Sequence, residues 1–202
     1  MTKPLPIILV DMDGVFCDFL HGYYALAKMK FPKLYEALPD PTQLKEFYVE
    51  DSIDDKDIRH LAAQMVDDPQ LFYMFPPIAG AIEGMKDLKV KANAAGLDVY
   101  ICTAPHRPNK DSYKAKAEWV QSFLGFDWLD QLLIVRDKTV CNGLVLVDDK
   151  PAPLGAFTPT WKHVLYKQPY NTHIIDKHVI ADWSPESVDA LVSYALKVQA
   201  EH

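Results

Sequence analysis

The chain reads as an α/β protein built on a parallel sheet, and three observations predict this. Short, apolar, branched runs recur at residues 7–10, 97–102, 132–135, 144–147 and 163–166, as strands buried on both faces do. Segments of helical periodicity separate them, including residues 79–94 ahead of Gly96 and 111–124 ahead of Gly125. Strands alternating with helices imply right-handed crossovers into a parallel sheet.

The elements follow in order. Ile7, Ile8, Leu9 and Val10 are a short buried strand that runs straight into Asp11-Met12-Asp13-Gly14. Residues 18–75 then change character: Leu20, Tyr23, Tyr24, Ala27 and Phe31 recur at roughly helical spacing, as do Ile58, Leu61, Ala62 and Met65. The second series follows the acidic run 51–55, which offers Ser and Asp as helix N-caps, and Pro32, Pro39, Pro41 and Pro69 punctuate the stretch. A small helical insertion is expected there. Regular alternation resumes near Pro76-Pro77, residues 163–166 are expected to be the last core strand, and Ser184-Pro185-Glu186 opens a final helix with Ser at the N-cap.

With 202 residues, 49% of them hydrophobic, the chain can bury one sizeable core and a small accessory domain. Its net charge of −7 and lack of a basic block argue against binding a nucleic-acid polymer. No apolar stretch approaches the roughly 20 residues of a membrane span. Residues 1–6 show no signal-peptide pattern. Cys17, Cys102 and Cys141 form neither a disulfide framework nor a zinc pattern, so a reducing cytoplasm is the expected setting.

Three apolar strands end in residues that can do chemistry: the first at Asp11 and Asp13, the second at Thr103, the third at Asp148-Asp149. In a parallel sheet these ends share one edge, where open α/β folds bind ligands. Crowded carboxylates need a cation or a shared proton. An all-oxygen donor set suits Mg²⁺ better than zinc. Lys138 can bring positive charge to an anionic substrate. Each feature also has a plainer reading: Asp148-Asp149 as a turn and helix cap, Thr103 as a structural hydroxyl, Lys138 as a solvated lysine. A calcium loop starting at Asp11 fits poorly, because Gly14 falls at its fourth position and Gly22 at its twelfth.

The order Asp11-Met12-Asp13-Gly14-Val15, Thr103, Lys138, Asp148-Asp149 resembles the four motifs of the haloacid dehalogenase superfamily of phosphohydrolases. The resemblance implies a Rossmann-like three-layer core at residues 1–17 and 76–202 and a helical cap domain at 18–75. Residues 11–19, 101–105, 136–140 and 159–165 further resemble the 5′(3′)-deoxyribonucleotidases of cytosolic and mitochondrial type.

That resemblance implies hydrolysis of a nucleoside monophosphate to nucleoside and phosphate, with Asp11 as nucleophile, an aspartyl-phosphate intermediate and Mg²⁺ as cofactor. Asp13 would be general acid and base, which argues against dehalogenation, since a halide leaves without a proton. The metal would lie between the Asp11 carboxylate, the Asp13 carbonyl and the acidic pair, with Asp149 the direct ligand and Asp148 behind it. Thr103 would bind phosphate through its hydroxyl and Ala104 through its N–H; relatives often carry Ser at the latter position. Phe19 would stack on the base, and Phe47, Tyr48 and Val49 would line the sugar pocket and favour deoxyribonucleotides. His106 and Arg107 depart from the relatives and bear on base choice; Lys150 would approach base or phosphate. Members of the family form homodimers, although no interface signature is visible in this sequence. Two alternatives stay open at this point: another small phosphomonoester as substrate, or an inactive binding module of the same fold.

Overall fold

The computed structural model describes residues 4–201; Met1–Lys3 and His202, and with them the start of the 1–6 segment and the outermost ends of the expected core, lie outside the described residues. Six strands make one all-parallel sheet: β1 (Ile7–Val10), β2 (Asp98–Thr103), β3 (Leu132–Ile134), β4 (Val145–Asp148), β5 (Lys162–Tyr166) and β6 (His178–Ile180). Their order is β3-β2-β1-β4-β5-β6. The chain builds outward from β1 on one side, then returns to build on the other, so β1 and β4 flank the switch point where such sheets open a crevice.

The expectation that residues 163–166 end the sheet is corrected. β6 pairs with β5 in the register Val164↔His178, Leu165↔Val179, Tyr166↔Ile180. It is an edge strand of three residues, His178-Val179-Ile180, with Val179 39% exposed, too short to show an apolar run. β2 also extends one residue beyond its expected end, so Thr103 lies within the strand.

Alternation along β1 divides the core. Ile8 and Val10 face a large apolar cluster that includes α4 (Ala81–Ala94), α5 (Asp111–Phe123) and α6 (Pro185–Ala200). Leu9 faces a small cluster with Cys102, Leu146 and Trp161, covered by irregular chain that includes Val135 and Cys141. The Rossmann-like α/β core is thus present, with α-helices packed on one face and a thinner layer on the other.

Between β1 and α4 the chain forms α1 (Phe19–Lys30), α2 (Pro32–Ala37), α3 (Lys56–Met65) and single helical turns at Pro41–Gln43, Val49–Ser52 and Leu71–Tyr73, with isolated bridges pairing Cys17 with Asp13 and Pro77. Asp18 caps α1 by accepting from His21 N at 2.9 Å, and Pro32 occupies the first turn of α2, where its missing N–H costs nothing. Asp55 caps α3, accepting from the N–H groups of Asp57 and Ile58. Leu26, Leu34, Ala62 and Met65 of this segment belong to the same large apolar cluster as the sheet.

Candidate active site

The end of β1 is tied to β4 by Asp11 N–H, which donates to Val147 O at 2.8 Å and carries the ladder one residue past the strand. This brings Asp11 beside Asp148 and Asp149. The three buried carboxylates each offer an oxygen within 4.8 Å of the others. Lys138 bridges two of them, its Nζ lying 2.7 Å from Asp11 Oδ2 and 2.6 Å from Asp148 Oδ2. It sits on a single helical turn, Lys138–Val140, capped by the Asp137 side chain through Thr139 N at 2.9 Å. Burial works against the Lys138 ammonium, but Asp11 and Asp148 outweigh it and raise its pKa. Burial pushes the Asp11 carboxyl up, with Lys138 opposing and Asp148 adding to the shift. Asp149 is pushed well up by burial and then by Asp148 and Asp11.

Asp148 is engaged through both oxygens, Oδ1 accepting from Lys150 N at 2.8 Å and Oδ2 from Lys138. Among the described residues Asp149 is engaged through Oδ2 alone, by the Tyr170 hydroxyl. Gly14, at φ 72°, passes close by; a Cβ there would overlap Asp149 Oδ2.

The Asp13 carboxylate turns away from this triad. Its Oδ2 accepts from Lys116 Nζ at 2.5 Å and its Oδ1 from Cys17 Sγ at 3.3 Å. Lys116 also donates to Thr103 Oγ at 3.0 Å.

Asp11, Asp13, Lys138, Asp148 and Asp149 line a cavity of about 430 Å³. Phe19, Phe47, Tyr48, Val49, Ala104, His106 and Lys150 line it as well. Thr103 is fully buried and does not line this cavity, so its hydroxyl serves Lys116 in this structure. Phe47 meets Tyr48 and Tyr170 edge-on, at 5.0 and 5.6 Å between centroids. Lys150 Nζ lies 5.6 Å from the centre of the Phe47 ring. His106 stacks on Phe72 and reaches Asp67 Oδ1 with Nε2 at 2.6 Å, which ties the loop after β2 to the chain following α3. Arg107 is exposed and is not among the lining residues.

The sequence reading missed Lys116, Gln168 and Tyr170. Lys116 carried a signal: it sits at helical spacing with Ser112, Ala115, Trp119 and Val120, a charge on the buried stripe of α5. Gln168 and Tyr170 follow β5 in a stretch with no periodicity, and nothing local marks them.

A cavity lined both by charged groups and by aromatic rings suits an amphipathic ligand. A solved haloacid dehalogenase-like hydrolase from Streptococcus pneumoniae matches this fold with a TM-score of 0.58 at 14% identity, over 94% of this chain and 98% of that one. The architecture is that of the haloacid dehalogenase-like hydrolases. The mitochondrial 5'(3')-deoxyribonucleotidase of Mus musculus is 34% identical over 171 residues, 83% of this chain and 75% of the relative. The cytosolic-type enzyme of Homo sapiens is 30% identical over 171 residues, 83% of each chain. The family model described as 5' nucleotidase, deoxy (pyrimidine), cytosolic type C protein matches residues 5–197, and the chain belongs to that family of phosphoric monoester hydrolases.

Proposed function

We propose that the protein is a Mg²⁺-dependent phosphatase that hydrolyses nucleoside monophosphates, with deoxyribonucleotides preferred. The observation that carries this reading is the pairing of buried Asp11 with Lys138 at the sheet's switch point, in a cavity that aromatic side chains also line.

The donor chemistry fits a divalent cation. The three clustered carboxylates, Asp11, Asp148 and Asp149, share one directly paired ammonium group, Lys138, so within this cluster carboxylates outnumber their ion-pair partner by two. Burial disfavours that excess, and hard oxygen donors match Mg²⁺. Asp11 and Asp149 would hold the ion; Asp148, with both oxygens occupied, supports them from behind. When bound, the ion supplies charge neutralisation between Asp11 and a dianionic phosphate.

The protein's own groups account for the rest. Asp11 attacks phosphorus, and the bond from phosphorus to the ester oxygen breaks. Asp13, entering this step in its protonated form, gives that proton to the departing alkoxide, then takes a proton from the water that cleaves the aspartyl-phosphate and regenerates Asp11. Lys116 holds Asp13 in place, and Lys138 balances charge on Asp11 and the phosphoryl oxygens. Of the wall residues Phe47, Tyr48 and Val49 only Tyr48 carries a polar atom, and a ribose 2′-hydroxyl seated against Phe47 or Val49 would go unbonded, which disfavours it by about 1–3 kcal/mol, or roughly 5- to 150-fold. Three free thiols suit a reducing cytoplasm.

The test is phosphate release from paired deoxy- and ribonucleoside 5′- and 3′-monophosphates with Mg²⁺, alongside sugar phosphates. A higher kcat/KM for the deoxy member of each pair supports the reading. Faster turnover of the sugar phosphates would overturn it.

A further inference from the structure

After β5 the chain crosses back over the acid cluster in a short strap that lies outside the four motifs. Gln168 Nε2 donates to Gly14 O at 2.6 Å. Asn171 Nδ2 donates to Asp149 O at 2.8 Å and to Tyr166 O at 2.9 Å. Between them Tyr170 donates its hydroxyl proton to Asp149 Oδ2. The turn Pro169–Asn171 is closed by reciprocal bonds between Gln168 and Asn171, so the strap is internally fixed as well as anchored. Tyr170 is 5% exposed and Asn171 fully buried. The Tyr170 ring meets Phe47 edge-on at 89°. Gly14 lacks the side chain that would strike both Asp149 and the Tyr170 hydroxyl.

We infer that Tyr170 is a positioning residue for divalent-cation binding: its hydroxyl holds the Asp149 carboxylate through Oδ2 and would leave Oδ1 for the ion, while Phe47 packs edge-on against its ring. This rests on the reading of Asp149 as a metal ligand. A carboxylate free to rotate must be ordered when an ion arrives, whereas one held through its second oxygen is ordered beforehand. Outer partners of this kind are worth about 10- to 100-fold in metal affinity. The Tyr170–Asp149 contact joins a strap beyond the motifs to the end of β4, which is why no motif marks it.

The experiment is direct titration of the full chain with Mn²⁺, a hard cation whose free form is counted by electron paramagnetic resonance. Tyr170→Phe keeps the ring and its packing on Phe47 and removes only the hydroxyl. The Mn²⁺ Kd of a variant with wild-type circular dichroism is expected to rise about 10- to 100-fold. An unchanged Kd would overturn the inference while leaving the metal site intact. A wild-type chain that binds no Mn²⁺ would overturn the metal reading and this inference with it. A second measurement keeps the hydroxyl: with 3-fluorotyrosine placed at position 170, Mg²⁺ is expected to shift the ¹⁹F resonance, and a resonance unmoved at saturating Mg²⁺ would also overturn the inference.

Discussion

Replacing Lys116 with methionine keeps the reach and apolar stem of the side chain and removes its charge. The Lys116 side chain is 1% exposed and pairs with Asp13 Oδ2 at 2.5 Å. Deleting one partner of a buried pair costs about 3–5 kcal/mol, because the other charge is stranded. The Asp13 side chain is 24% exposed, so water relieves part of that cost and the figure falls to about 3 kcal/mol. In a chain of this size each kcal/mol moves Tm by about 2–4 °C, which gives a fall of about 6–12 °C. Turnover suffers separately. A positioned acid–base carboxylate contributes about 10²–10⁴-fold, so kcat for phosphate release should drop at least about 10²-fold well below the melting temperature. Scanning calorimetry and a continuous phosphate assay read the two effects. A Lys116→Met chain that melts and turns over like the wild type would refute the claim that this lysine orients the acid–base residue.

Other perturbations separate the parts of the site. Asp11→Asn preserves side-chain shape and should abolish phosphate release while leaving the circular dichroism spectrum unchanged; chelation with EDTA should also stop release, and restored Mg²⁺ should recover it. Gly14→Ala places a Cβ at φ 72° against Asp149, costs about 1–2 kcal/mol in backbone strain alone, and should raise the Mg²⁺ concentration needed for half-maximal turnover. One carboxyl can be read differentially in acid. For Asp68, burial is outweighed by its bonds from Lys30 and Gln70, so it titrates below the ordinary 3.8. A depressed native pKa stabilises above the unfolded value and is lost as pH drops, whereas the raised Asp11 and Asp149 act in the opposite sense, so the wild-type profile alone does not isolate it. The urea midpoint of Asp68→Asn should lie below that of the wild type at about pH 5, and the gap should close by about pH 3; a gap that widens over that interval would contradict the assignment.

The strands, their parallel pairing and the convergence of Asp11, Asp13, Lys138 and Asp148-Asp149 on one edge were legible because each rests on local pattern. Branched apolar runs mark strands, and the residues just past such a run lie at the carboxyl end of its strand. β6 was not legible, because an edge strand of three residues presents only one apolar face and no run. The orientation of Asp13 was not legible either. Which way a carboxylate turns depends on Lys116, 103 residues away along the chain. Thr103 shows the same limit: its place on β2 follows from the pattern, but its hydroxyl goes to Lys116 rather than into the cavity. The segment 18–75 was legible as helical, yet its single-turn pieces and its sharing of one apolar cluster with the sheet arise from packing, which periodicity does not encode. Tyr170 and Gln168 act across 21 and 154 residues respectively, through a turn whose local sequence says nothing of its target.

The most direct measurement is to quench turnover of a ³²P-labelled deoxynucleoside monophosphate in acid and map the labelled peptide. The proposed mechanism predicts acid-stable, hydroxylamine-labile phosphate on the peptide that carries Asp11, lost in Asp11→Asn. Steady hydrolysis by a chain that never carries label at that carboxylate would contradict it.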